Sequence, residues 1–243
     1  YGIRDHRGGG RASARETAVR VAGGAFAQLL LNEFKIEVLS GVLGIGKAVS
    51  DKVDFDFAKN SQIYALGNEE AMKEAVNKAR SEHDSVGAVV LSVARGVPAG
   101  LGEPLYDRLD SALAAALMGI NGVKAIEIGA GVNVSSMLGS ANNDEMDELG
   151  FLSNNAGGIL GGISSGAEIM LKSHFKPTPS IFKEQKTLNL AGEAVDFELR
   201  GRHDPCIGIR GSVVATAMIR LVLADMLLLN ASTKLENLKK IYG

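Results

Sequence analysis

Tryptophan is missing from the 243 residues and cysteine occurs once, as Cys206. A single thiol closes no internal disulfide, so the fold must be held by its core. Charge of one sign is missing too. The 26 lysines and arginines stand against 28 aspartates and glutamates, a formal net charge of -2, which excludes a surface organised to grip nucleic acid. The first residues lack a charged-then-apolar leader pattern, and a reducing cytoplasm is the expected compartment. The longest apolar run, Val213 to Leu229, is broken by Arg220 and Asp225 and is short for a bilayer. It reads as a buried helix without a membrane role. His6 and His174 have no partners at metal-ligand spacing, so no metal is expected.

What is present is enough apolar sequence for a sizeable core, 46% of residues, and 30 glycines gathered in particular loops. Clustered glycine lets backbone approach backbone or a ligand. Ser13 with Glu16 fits a capping box and predicts a helix from Ser13 to about Glu33. Strand-like patterns cover Ile36 to Ile45, Val86 to Ala94, Val123 to Ile128 and Ala167 to Leu171. Asn68 is placed to cap a helix reaching about Glu82. Tyr106 to Ile120 reads as an alanine-rich helix with Leu105, Leu109, Leu113, Leu117 and Ile120 on its core face. Lys186 to Leu190 and Ala194 to Leu199 read as a hairpin around Gly192. Ser212 is the expected cap of the apolar helix to Leu229, and Thr233 that of a last helix ending near Gly243.

Four loops carry chemistry. Gly8-Gly-Gly10-Arg11 precedes a helix start, with Arg4, Arg7, Arg11 and Arg15 nearby, an arrangement suited to an anion; a flexible turn with solvated arginines explains it equally well. A phosphate-binding kinase loop would end in Gly-Lys-Ser/Thr, which is absent. Ser153 to Gly166 holds two glycine pairs and the amides of Asn154 and Asn155, fit either for a planar ligand or for a tight β connection. Lys176-Pro-Thr-Pro-Ser180 is stiffened by its prolines and offers Lys176, Thr178 and Ser180 to a phosphate or ring, or serves as a rigid connector. Gly201-Arg-His-Asp-Pro-Cys-Ile-Gly-Ile-Arg210 places Arg202, His203, Asp204 and Arg210 between a strand and a helix, as half of a site for an anion or as an ion-paired structural turn. Cys206 reads as a small packed side chain, and His83 as a helix-end residue.

Taken in order, RGGGRASARET, ARGVPAGLGEP, SNNAGGILGGIS, KPTPS and GRHDPCIGIR closely resemble chorismate synthases over essentially the whole chain. Ala12, Ala130, Val132 and Gly211 to Val214 depart from the usual family pattern. The family's Gly-Glu-Ser-His-Gly-type motif and its second catalytic histidine are not in these residues. The expectation is therefore the C-terminal majority of such an enzyme, in a single domain over 1–243. The resemblance implies an α+β fold, a β-α-β sandwich in which antiparallel sheets enclose core helices, assembled as a homotetramer.

It further implies a carbon–oxygen lyase that turns 5-enolpyruvylshikimate 3-phosphate into chorismate and phosphate on the route to aromatic amino acids. Reduced FMN (FMNH2) is the implied cofactor, with NADPH or an external reductant as alternative sources of electrons. By resemblance, FMN contacts fall on Arg11, Ala12, Ser13, Asn121, Gly122, Gly161, Lys176, Pro177, Thr178, Pro179, Ser180 and Arg202. Asp204 is assigned to the proton relay with Ser13 as its hydroxyl partner, and His203 to orientation. The alternative is a noncatalytic fragment that keeps an FMN- or anion-binding and assembly surface.

Overall fold

The structure, a computed structural model, describes Gly2, residues 9–199, Gly201 and residues 203–243. Its elements are α1 (Thr17–Glu33), β1 (Glu37–Ile45), β2 (Ala48–Val49), α2 (Phe55–Asn60), α3 (Glu69–Ser81), β3 (Ala88–Arg95), α4 (Leu109–Met118), β4 (Val123–Ile128) and α5 (Gly139–Asn142). There follow β5 (Met146–Asp147), β6 (Gly150–Phe151), β7 (Ile159–Leu160), β8 (Ile163–Ser164), β9 (Ile169–Phe175), β10 (Gln185–Leu188), β11 (Ala194–Phe197), α6 (Gly208–Ala231) and α7 (Leu235–Tyr242).

The strands make one five-stranded sheet, ordered β2-β1-β3-β9-β4, and three two-stranded ribbons, β5-β6, β7-β8 and β10-β11. The sheet is antiparallel because strand ends meet strand starts. Gly46, just past β1, donates its N–H to Gly87 O, just before β3, at 3.0 Å, and Gly129, just past β4, donates to Met170 O near the start of β9 at 3.0 Å. Gly87 also lies against Phe175 O at the end of β9. This mixture of helix with antiparallel sheet is the α+β class the resemblance implied.

Two compact units divide the chain: 1–40, 91–173 and 212–243 form one, and 41–90 with 174–211 the other. The boundaries fall inside β1, β3, β9 and α6. In the first unit, Leu109, Leu113 and Leu117 are fully buried at four-residue spacing on α4, each adding roughly 1.5–3 kcal/mol by leaving water. A Cβ at Gly24 of α1 would collide with Ala217 of α6, so this glycine permits the helices to approach. By length and composition α6 could cross a bilayer, but here Ile219 and Leu223 are wholly buried. In the second unit, Val42, Ile45, Met72, Val76, Ala88 and Cys206 share one apolar cluster.

Several boundaries differ from expectation. A 3₁₀ turn at Ala14–Glu16, capped by Ser13, precedes α1. Glu16 pairs with Arg20, the i+4 residue, in an i,i+4 ion pair, rather than serving as the acidic arm of the predicted capping box. Helix α4 begins at Leu109, not Tyr106, leaving Leu105 69% exposed. Ser212 is inside α6 and buried. This helix starts at Gly208, and Gly208 and Gly211 let its first turn lie tightly against Ala88 and the Phe175 ring. Thr233 does not cap α7: its hydroxyl donates to Asn230 O at 2.8 Å, and Lys234 is the capping position.

Candidate active site

The residues expected to carry chemistry fall into two sets, one in each unit. In the first unit, Asn121 follows α4 and donates its side-chain N–H to Ala12 O at 2.9 Å. Arg20 of α1 donates to Gly119 O at 2.9 Å. These bonds bring Arg11, Ala12 and Ser13 to the Asn121–Gly122 turn. Ser13 Oγ accepts the Arg15 N–H at 3.4 Å, so its oxygen caps the start of the Ala14–Glu16 turn. Asn121 Oδ1 is buried and has no donor among the described residues. An acceptor left this way costs roughly 1–3 kcal/mol unless a ligand or neighbour satisfies it, and it fits the imide N–H of a flavin ring.

Gly161 stands apart from that turn. It forms the tip of the β7-β8 hairpin with Gly162, both at positive φ, as a two-residue mirror-type turn demands. Gly162 O accepts the N–H of Leu109, the first residue of α4, at 2.8 Å, whereas Asn121 follows the other end of that helix, about 15 Å away by helical rise. The amides of the loop are spent internally. Asn154 donates to Glu168 O at 2.7 Å and accepts the Gly158 N–H at 2.9 Å, while Asn155 donates to Ala141 O at 3.2 Å. The tight β connection is realised here, and Gly161 alone of the loop's paired glycines has open space where a Cβ would be.

The second unit assembles the loop around Asp204. Thr178 donates its hydroxyl to Asp204 O at 2.8 Å, and Val86 donates its N–H to Pro205 O at 2.8 Å. Adjacent carbonyls are thus held by two other segments. The segment holding Thr178 is fixed to the turn before β3 by Ser85 Oγ donating to Thr178 O at 2.7 Å, Phe182 N–H to His83 O at 3.1 Å and Lys183 Nζ to Asp84 Oδ2 at 2.6 Å. Lys183 and the Ser85 N–H hold the Asp84 carboxyl below its usual range.

Against this fixed backbone the charged groups stay open. Asp204 pairs with Arg210 in the first turn of α6, and their side chains are 41% and 75% exposed. A pair so solvated contributes little to stability, so structure alone does not account for it. Asp204 borders two clefts. One, of about 480 Å³, is lined by Ser180, Phe182, His203 and Arg80 among others. The second, of about 310 Å³, lies between α3 and the start of α6 and reaches Lys73, Arg80 and Cys206. His203 leans on the Phe182 ring with centroids 6.0 Å apart, and His83 meets the same ring edge-on at 6.4 Å. Burial pushes the Cys206 thiol up, against the N–H groups of Gly208 and Ile209. A protonated, buried thiol is no nucleophile.

Of the remaining expected residues, Lys176, Pro177 and Pro179 are exposed and Ser180 half-buried. Thr178 spends its hydroxyl on Asp204. Arg202, and with it Arg4, His6, Arg7 and Gly8, lies outside the described residues. Arg80, Ser85 and Arg20 were not singled out from sequence. The first reads as one more charge on an outer helix face, and the others acquire partners only across 93 and 99 positions of chain.

Comparison with known proteins decides the family. The family model described as chorismate synthase matches residues 1–228. The chain belongs to the chorismate synthase family. Over its full length it is 98% identical to a chorismate synthase of Campylobacter concisus and 72% identical to that of Campylobacter curvus, spanning 68% of each. A crystal structure of a chorismate synthase superposes with a TM-score of 0.76 at 31% identity, covering 94% of this chain and 68% of that one. Members of this family are carbon–oxygen lyases, and the chain is a lyase of aromatic biosynthesis.

Proposed function

We propose that the chain acts on 5-enolpyruvylshikimate 3-phosphate with reduced FMN bound and that Asp204 handles the proton. In the reaction one C–O bond to phosphate and one C–H bond break, a C=C bond forms, the electron pair leaves with phosphate, and the proton passes to the protein. When bound, reduced FMN supplies electron density that eases departure of the phosphate, with no net redox change. Within the first unit, Asn121 Oδ1 and the Ala12–Ser13 backbone would hold it.

The single observation that carries the reading is the treatment of Asp204: its backbone is tied down while its carboxylate faces a cleft. Such a group is fixed in direction and still reachable, as a general acid or base requires. Arg80 and Arg210 on the same cleft offer charge to a leaving phosphate. Ser13 lies in the first unit, capping a turn, and a role for its hydroxyl rests on family membership alone. NADPH as reductant, homotetrameric assembly and a cytoplasmic location rest on family membership alone.

The test is Asp204→Asn in the full-length protein under anaerobic reduction. Turnover should fall at least about 100-fold, the usual weight of a general acid or base, with FMN binding by fluorescence unchanged. Undiminished turnover would remove Asp204 from the reaction.

A further inference from the structure

We infer that Ser85 is a positioning residue for Asp204, acting through Thr178. The inference rests on the proton role given to Asp204 above. Pro205 has no N–H, so the peptide after Asp204 can be anchored only through carbonyls. Both neighbouring carbonyls are taken: Asp204 O by Thr178 Oγ1 and Pro205 O by the Val86 N–H, each at 2.8 Å. Thr178 can aim its hydroxyl only if its own backbone is fixed, and its carbonyl accepts the Ser85 hydroxyl at 2.7 Å.

Ser85 and Val86 are consecutive, so one short turn before β3 controls both carbonyls, Val86 directly and Ser85 at one remove. The turn is itself anchored, because Asp84 Oδ1 accepts the Ser85 N–H at 2.8 Å and Asp84 Oδ2 takes Lys183. Ser85 lines neither cleft. Its effect on the reaction therefore passes through position alone, and a misplacement of about 1 Å can cost up to about 100-fold in rate.

The experiment compares Ser85→Ala, Ser85→Thr and Asp204→Asn in the full-length protein, reading kcat, KM and hydrogen exchange of the Val86 amide, whose N–H donates to Pro205 O at 2.8 Å. Ser85→Ala should lower kcat about tenfold, within the roughly 100-fold a 1 Å misplacement can cost, leave KM within about twofold, and speed exchange of that amide. Ser85→Thr keeps the hydroxyl and should restore both. Unchanged kcat in Ser85→Ala beside an inactive Asp204→Asn overturns the inference alone, as does a lower kcat without faster exchange. Full turnover by Asp204→Asn removes the reading of Asp204 and the inference with it.

Discussion

In the loop of residues 153–166 the polar side chains are turned on the protein itself. In the loop of residues 203–207 the backbone is tied down and the charged side chains are left open. Both stretches are built of groups that suggest a ligand, and the difference lies in where their hydrogen bonds go. Asn154 and Asn155 fill their bonds with nearby backbone, and Asp144 accepts the Ser153 hydroxyl at 2.6 Å and the N–H groups of Asn155 and Ala156 at 2.6 and 2.8 Å. Asp204, by contrast, has its carbonyl held while, among the described residues, its carboxylate meets an exposed arginine at the solvent. A polar group spent on its own fold stabilises; one held in place and left open to solvent can act.

The contrast can be broken first at Gly157. Its φ is +64°, and a Cβ there would run into the backbone of Gly129. Gly157→Ala should cost about 3 kcal/mol, from left-handed strain and overpacking together, read as a lower denaturation midpoint. Gly161, at φ +59° with open space, meets only the strain, so Gly161→Ala should cost about 1 kcal/mol. Equal losses at the two positions would mean that backbone crowding does not govern this loop.

Asp144 offers a smaller, pH-dependent effect. Burial pushes its carboxyl up, but the Ser153 hydroxyl and the N–H groups of Ala156 and Asn155 outweigh this and hold it below the usual range. With the folded value below the unfolded one of about 3.9, its contribution is present above that value and is lost as pH falls through the folded value. Denaturation of wild type and Asp144→Asn should therefore diverge at pH 6 and converge toward pH 3. The smallest effect is expected at Cys206: a buried, protonated thiol that only fills space predicts turnover within about twofold for Cys206→Ala, and a large loss in a steady-state assay would give the thiol a chemical role.

Much of this was legible in the chain. Leu109, Leu113, Leu117 and Ile120 announced a buried helix face by spacing, and β1, β3 and β4 followed from strand patterns, because periodicity reports burial locally; the exposed β10-β11 ribbon followed from its turn at Gly192. Helix starts were less legible. Gly208 and Gly211 look like loop until Ala88 and Phe175 stand against them, and Leu105 continues the leucine spacing of a helix that has not yet begun. The motifs around Asn121, Lys176 and Asp204 carried the family resemblance because residue type and order survive in sequence. The sequence alone therefore determined the family and the α+β class. Only the tertiary structure decided which polar groups are spent and which are free, since the partners of Asn121, Thr178 and Ser85 lie 109, 26 and 93 residues away, and a hydrogen bond depends on distance in space rather than along the chain.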